Sequence, residues 1–172
     1  IFLDLKLHDI PNTVKKGIDA ITKLDPHFLT IHISGGDKML IAANSAKKNI
    51  KILGVSILTS LNSEQTKKFY HNEDISKIVE NFAIYAKANK LDGIICSPQE
   101  IKIIKNVVAD NLIIVTPGIR PQDYKNKNDD QARTMNPKEA LLAGADYLVI
   151  GRPIIESSNP LKELKNINFS LE

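Results

Sequence analysis

The sequence contains little cysteine and few aromatic residues, and it lacks any long hydrophobic run. Cys96 is the only cysteine of the 172 residues, which excludes an internal disulfide and a thiolate metal cluster and favours a reducing compartment. No apolar run approaches the roughly 18 residues needed to span a bilayer, and the start lacks the basic-then-apolar pattern of a signal peptide. These absences predict a globular protein of the cytoplasm.

The sequence also has only a small excess of charge of one sign. The formal net charge is +3, and lysines are interleaved with acidic residues over segments of helical pattern. This indicates solvated helix faces and argues against a basic stripe for nucleic acid, so we expect any basic function to be local. The sequence has no P-loop and no Ser-His-Asp or Cys-His arrangement, and its histidines show no metal spacing with nearby acids.

Short apolar runs alternate with longer segments of helical pattern along the chain. Six runs rich in Val, Ile and Leu predict strands at residues 1–7, 28–34, 50–58, 91–97, 112–119 and 146–151. Helices are predicted at residues 12–23, 37–47, 75–89, 98–108, 137–143 and 153–164. This repeat predicts one α/β domain over residues 1–172, with buried parallel strands.

Two architectures fit six such units. One is an open doubly wound sheet, although no G-x-G-x-x-G follows the first strand. The other is a (β/α)₈ barrel, which needs eight units and would here lack its first two. The pattern alone leaves both open.

Two opposite charges interrupt the first strand. Because strand side chains alternate, Asp4 and Lys6 are expected on one face and Leu3, Leu5 and Leu7 on the other. Asp9 follows at the strand end, and Asn12 or Thr13 is expected to cap the next helix. A structural ion pair on an edge strand is the plain alternative. Sites of parallel α/β proteins form at the carboxyl ends of strands, which favours chemistry here.

The last two strand exits indicate a phosphate site. Gly151 allows close approach of an anion to the start of a helix, and Arg152 adds a fixed charge. Arg120 lies on residues 118–136, the longest polar connection of the chain, which is predicted to form a mobile lid. The loops after strands seven and eight of (β/α)₈ enzymes often hold phosphate.

Several motifs together resemble one known family. They are the runs at 2–13 (FLDLKLHDIPNT), 32–36 (HISGG), 58–60 (LTS), 116–121 (TPGIRP) and 150–153 (IGRP). In this order they resemble the signature of orotidine 5′-phosphate decarboxylase of the bacterial type, the last enzyme of UMP synthesis. The core Asp-x-Lys-x-x-Asp also occurs in related sugar-phosphate decarboxylases and synthases, but the flanking Ile-Pro-Asn-Thr favours the orotidylate branch.

The resemblance implies a (β/α)₈ barrel that acts on orotidine 5′-phosphate as a homodimer, without metal or organic cofactor. It implies that Lys6 donates a proton to C6 of the pyrimidine and that Asp4 lies beside the departing carboxylate. The other implied site residues are Asp9 and Thr13, lent to the partner subunit, Ile10 and Asn12 in the same ligand-contacting segment, Thr59 at the pyrimidine, and Arg120, Gln131, Gly151 and Arg152 in the lid and phosphate site.

The chain departs from the family pattern at its start. The family carries an Asp after its first strand and a Lys after its second, and neither region is present. We therefore expect the chain to correspond to strands three to eight of the barrel, as an N-terminally truncated form that would be unstable and inactive alone. Two other readings stay open: a Mg²⁺-dependent sugar-phosphate decarboxylase of the same superfamily, and a phosphate-ligand binding protein without catalysis.

Overall fold

A computed structural model describes residues 1–109, 111–121, 124 and 133–171 of the chain. Within these residues the strands are β1 (Phe2–Leu7), β2 (Phe28–His32), β3 (Lys51–Val55), β4 (Gly93–Ile95), β5 (Ile113–Thr116) and β6 (Tyr147–Leu148). The α-helices are α1 (Pro11–Ile21), α2 (Asp37–Ala46), α3 (Ser63–Tyr70), α4 (Ile75–Ala88), α5 (Ile101–Val108), α6 (Pro137–Ala143), α7 (Arg152–Ile155) and α8 (Pro160–Phe169). Among these helices, none has the length and apolar character needed to cross a bilayer.

The order of the strands decides between the two predicted architectures. Each strand pairs in parallel with the next one along the chain, giving the order β1-β2-β3-β4-β5-β6. A doubly wound sheet reverses its order at a switch point, whereas a barrel keeps its strands in chain order. The sheet is therefore a curved part of a (β/α)₈ barrel, and the open-sheet alternative is wrong.

Apolar side chains cover both faces of the sheet. Neighbouring residues of one strand alternate, so that Ile52 and Ile94 pack against the helices while Leu53 and Ile95 form a second cluster on the barrel's inner face. Cys96 is fully buried directly after β4, as the surrounding apolar run predicts, and burial raises the pKa of its thiol to about 12. The continuous apolar runs of the sequence thus correspond to strands buried on both sides.

The predicted helices are present, with two differences. Helix α3 was not predicted, because it is short and mostly polar; a reciprocal capping box between Asn62 and Gln65 begins it. The predicted helix at 153–164 is instead divided into α7 and α8. A new helix begins after Asn159, whose side chain accepts the Lys162 N–H at 3.0 Å.

The start of α1 also differs from the expected capping. Pro11 is its first residue and Ile10 is its N-cap, with no hydrogen bond from a capping side chain. Asn12 and Thr13 lie inside the first turn, so the expectation that one of them caps the helix is wrong. The fixed φ of a proline suits the first helical position, which moves the start of the helix ahead of both residues.

Strand β1 contains a bulge that interrupts its alternation. Four steps along β1 match only two steps along β2, and the paired residues are Leu3 with Leu29 and Leu7 with Ile31. Lys6 has a φ of +49°, in the left-handed region that a lysine rarely adopts. Leu5 is 52% exposed, whereas Leu3 and Leu7 pack against the core. The predicted placement of all three leucines on one packed face is therefore wrong at Leu5.

Candidate active site

Asp4 and Lys6 form an ion pair at the carboxyl end of β1. The Lys6 Nζ lies 2.5 Å from the Asp4 Oδ2, and the two side chains are 37% and 45% exposed. Both groups therefore contact each other and remain partly exposed. The structure thus brings the two charged side chains together, as their predicted placement on one face suggests.

A buried hydroxyl on the neighbouring strand contacts both residues of the pair. Thr30 lies in β2 with no exposed surface, and its Oγ1 donates to the Asp4 Oδ1 at 2.8 Å. The same Oγ1 accepts the backbone N–H of Lys6 at 2.9 Å. Sequence reasoning missed Thr30, although a lone hydroxyl residue inside the apolar run FLTIH was a usable signal.

The segment after β1 lies on the surface. The Asp9 Oδ1 accepts the N–H of Ile10 at 2.6 Å, and in the described part of the chain Asp9 makes no ion pair with Lys6. Ile10 is 68% exposed, and Asn12 and Thr13 are exposed as well. Within one chain the structure thus brings Asp4 and Lys6 together but leaves Asp9 outside their pair.

Two histidine rings lie at the ends of β1 and β2. The His8 and His32 ring centroids are 5.2 Å apart, with the planes tilted by 41°. Burial, followed by the nearby His8 and Lys6, lowers the pKa of His32 from its ordinary value of 6.5. Partial burial and the neighbouring positive charge thus favour the neutral form of the His32 ring.

The exits of β5 and β6 contain the predicted phosphate residues. Gly151 precedes α7, and Arg152 is its half-buried first residue. The Arg120 Nη1 donates to the Ile119 carbonyl at 2.9 Å, and its guanidinium lies 5.4 Å from the centroid of the Tyr124 ring. Most of the predicted lid, residues 118–136, lies outside the described residues. Gln131 also lies outside them.

The two ends of the long connection nevertheless lie side by side. The N–H of Arg120 donates to the Met135 carbonyl at 3.0 Å, and Ile119 and Met135 form an isolated parallel bridge. Gly118, just before, has a φ of +78°, which a glycine adopts without strain. The connection therefore begins and ends at neighbouring positions, after β5 and before α6.

Comparison with known proteins assigns this arrangement to a family. Residues 1–167 match the family model described as Orotidine 5′-phosphate decarboxylase / HUMPS family. The chain belongs to this family. An orotidine 5′-phosphate decarboxylase of Wolbachia pipientis is 46% identical over 173 residues, covering 99% of this chain and 75% of the relative. One of Saccharophagus degradans is 40% identical over 171 residues, covering 97% and 71%.

Solved structures agree. The crystal structure of orotidine 5′-phosphate decarboxylase from Lactobacillus acidophilus matches with a TM-score of 0.83 and 35% identity, covering all of this chain and 75% of that one. The enzyme from Pyrococcus horikoshii, at 24% identity and a TM-score of 0.74, covers 98% and 72% and supports the fold. The chain thus spans about three quarters of the length of its relatives.

In this orotidine 5′-phosphate decarboxylase family member, a buried ion pair lies beside the segments that follow β3 and β4. Arg133 pairs with Glu100, and the Arg133 Nη2 donates to the Leu58 carbonyl at 3.3 Å. Leu58 directly precedes the half-exposed Thr59, the predicted pyrimidine contact. Sequence reasoning missed this pair, because Arg133 and Glu100 are 33 residues apart and no local pattern joins them.

Other features of the described residues lie apart from the ion pair. A cavity of about 700 Å³ opens beside α6, α7 and α8; Arg152 lines it, but Asp4 and Lys6 do not. Within the described ranges, no cluster of three or more His, Cys, Asp or Glu side chains has the arrangement of a metal site. Asp4 and Lys6 are therefore the main candidates for the reacting groups of the site.

Proposed function

We propose that the intact protein converts orotidine 5′-phosphate to UMP by decarboxylation, with Lys6 as the proton donor. The observation that carries the proposal is the partly exposed Lys6–Asp4 ion pair of β1 in a member of the decarboxylase family. A single ammonium held by a carboxylate, within reach of solvent, is the acid that such a reaction needs.

The step itself breaks the bond between C6 of the pyrimidine and the carboxyl carbon. CO₂ departs, and the electron pair of that bond stays on C6 and takes a proton from the Lys6 ammonium. Lys6 becomes a neutral amine and regains its proton from solvent. A fixed positive charge near C6 stabilises the negative charge that develops in the transition state. Such electrostatic stabilisation is usually the largest single contribution to catalysis. Asp4 holds this ammonium in place and lies beside the departing carboxylate.

Phosphate recognition is assigned to the other side of the mouth. Arg120 and Arg152 supply positive charge, Gly151 supplies space, and Gln131 belongs to the connection that would close over the ligand. A Cβ built at Gly151 meets no atom within 4 Å, which fits an open approach to the backbone. Thr59 is assigned to the pyrimidine. The binding energy of the phosphate group, which lies far from C6, can then help to stabilise the transition state.

The segment after β1 is assigned to a homodimer interface. Asp9 and Thr13 are exposed and the apolar Ile10 between them is 68% exposed, which supports the proposal that they complete the partner's site, with Asn12 beside them. We also expect the protein to act in the cytoplasm and without a metal ion, since Lys6 already supplies positive charge at the reacting carbon.

The test is turnover of orotidine 5′-phosphate by the intact protein and by its Lys6→Ala variant. We expect Lys6→Ala to abolish decarboxylation while UMP binding, measured by calorimetry, is largely retained. Lys77→Ala is the matched control, because Lys77 lies on α4, pairs with Asp74 and belongs to no segment of the proposed site. Near-normal decarboxylation by Lys6→Ala would contradict the assignment of the proton donor.

The same assay separates the two alternatives. Turnover of a sugar phosphate that needs Mg²⁺ and stops on addition of EDTA, with no activity on orotidine 5′-phosphate, would favour the metal-dependent decarboxylase. Binding of UMP without turnover by the intact wild-type protein would favour a binding protein.

A further inference from the structure

Thr30 is the one β2 residue opposite the bulge of β1. The register places three residues of β1, including Asp4 and Lys6, between two consecutive matched positions that enclose Thr30. In a regular parallel ladder, alternate residues of β1 would bond to the backbone of β2 through their N–H and C=O groups. The bulge removes that pattern, so the polar groups within it need other partners.

The Thr30 hydroxyl supplies two of those partners at once. It accepts the backbone N–H of Lys6 at 2.9 Å and donates to the Asp4 Oδ1 at 2.8 Å. The other Asp4 oxygen, Oδ2, accepts the Lys6 ammonium at 2.5 Å. One fully buried oxygen atom thus fixes the backbone of one charged residue and the side chain of the other.

The backbone of Lys6 requires such a contact. Its φ of +49° lies in the left-handed region, which costs a residue with a side chain free energy unless the surroundings hold it there. A hydrogen bond from the N–H of Lys6 itself is the most direct means of holding this conformation. Without it, a regular strand would turn the Lys6 side chain to a different direction.

We propose that Thr30 is a positioning residue of the reaction: its buried hydroxyl fixes the bulge of β1 and thereby holds Asp4 and Lys6 in their paired arrangement. It acts through these two residues and does not contact the substrate. This inference rests on the proposed decarboxylation, because it concerns the geometry of the same proton donor.

The test compares variants that differ only in the hydroxyl. Thr30→Val keeps the volume of the side chain and removes the hydroxyl, and Thr30→Ala and Thr30→Ser form a second pair that also differs in the hydroxyl alone. Thr66→Val is the matched control, because Thr66 is equally buried but lies in α3, where its hydroxyl donates to the Ser63 carbonyl at 3.1 Å. All variants are made in the intact protein, and melting temperatures verify folding.

We expect Thr30→Val and Thr30→Ala to lower kcat by about 10- to 100-fold, with little change in KM or in UMP affinity, because misplacing a catalytic group affects the chemical step most. Thr30→Ser and Thr66→Val are expected to keep kcat near the wild-type value. Hydrogen exchange at the Lys6 amide, followed by NMR, should accelerate in Thr30→Val and not in Thr30→Ser.

A folded Thr30→Val variant with wild-type kcat would overturn the inference, and so would an equal loss in Thr30→Ser and Thr30→Ala. If Thr30→Val does not fold, the comparison of serine with alanine decides. Absence of turnover by the wild-type protein would instead overturn the proposed function and this inference with it, whereas active wild-type and Thr30→Val proteins would overturn the inference alone.

Discussion

The buried pair of Arg133 and Glu100 gives a stability prediction that can be worked out from the structure. The Arg133 side chain is 12% exposed and the Glu100 side chain 4% exposed. Glu100 also accepts the N–H of Ser97 at 2.9 Å, and Arg133 donates to the Leu58 carbonyl. Arg133→Met removes the cation, keeps much of the side-chain volume, and leaves the Glu100 carboxylate buried without its partner.

The expected loss is large for a single substitution. Removing one partner of a buried ion pair costs about 3–5 kcal/mol, because the remaining charge loses its compensation but not its burial. In a domain of this size each kcal/mol lowers the melting temperature by about 2–4 °C, so we expect a fall of about 6–20 °C. Lys67 pairs with Glu73 at 2.9 Å but is 68% exposed. Lys67→Met, the matched control, should change stability by less than about 1 kcal/mol.

The assay is thermal and urea unfolding of the intact proteins, followed by circular dichroism. A double variant, Arg133→Met with Glu100→Gln, tests the cause, because neutralising the carboxylate should recover part of the stability lost in Arg133→Met alone. The reasoning is refuted if Arg133→Met and Lys67→Met melt at the same temperature, or if the double variant is no more stable than Arg133→Met.

Two further predictions concern the dimer and the pH dependence of stability. If Asp9 is lent across the interface, mixing inactive Lys6→Ala and Asp9→Ala proteins after subunit exchange should restore about a quarter of wild-type activity, since half of the dimers are mixed and carry one intact site; a mixture that stays inactive would contradict the shared site. Because the pKa of His32 is lowered on folding, the unfolded chain binds its proton first, so the stability due to neutral His32 is complete above about pH 6.5 and declines as the pH falls below it. Urea unfolding from pH 8 to pH 5 should show a shallower decline for His32→Gln, and parallel curves for the two proteins would count against this.

Much of the fold follows from short-range features of the sequence. Runs rich in Val, Ile and Leu predicted the strands, and after β1 most of these runs are continuous, because strands covered on both faces need no alternation. The helices with strong apolar faces, such as α4 and α5, were predicted within a few residues. The short α3 was not, because the capping box of Asn62 and Gln65 forms it and an apolar face does not. The choice between barrel and open sheet required the strand order, which no local pattern contains.

The candidate site was predicted in part for the same reason. Strand exits can be located in a sequence, so Lys6 and Arg152 could be named in advance, and the family resemblance added Thr59. The residues that hold them in position could not be predicted, because only the folded chain brings these residues to their partners. Thr30 and Lys6 are 24 residues apart, and Arg133 and Glu100 are 33 apart. The support of a site is thus harder to predict than its reacting groups.

Strand alternation explains only part of the contact between Asp4 and Lys6. Residues two apart on a regular strand share a face but lie about 6.4–6.8 Å apart along it, so alternation alone gives proximity and not a fixed ion pair. In the structure the pair forms within a bulge, where Lys6 has a positive φ and Thr30 holds its N–H. The departure from a regular strand is therefore what gives the two charges a defined geometry. It follows that a variant restoring regular pairing of β1 with β2 should stabilise the strand and weaken the ion pair.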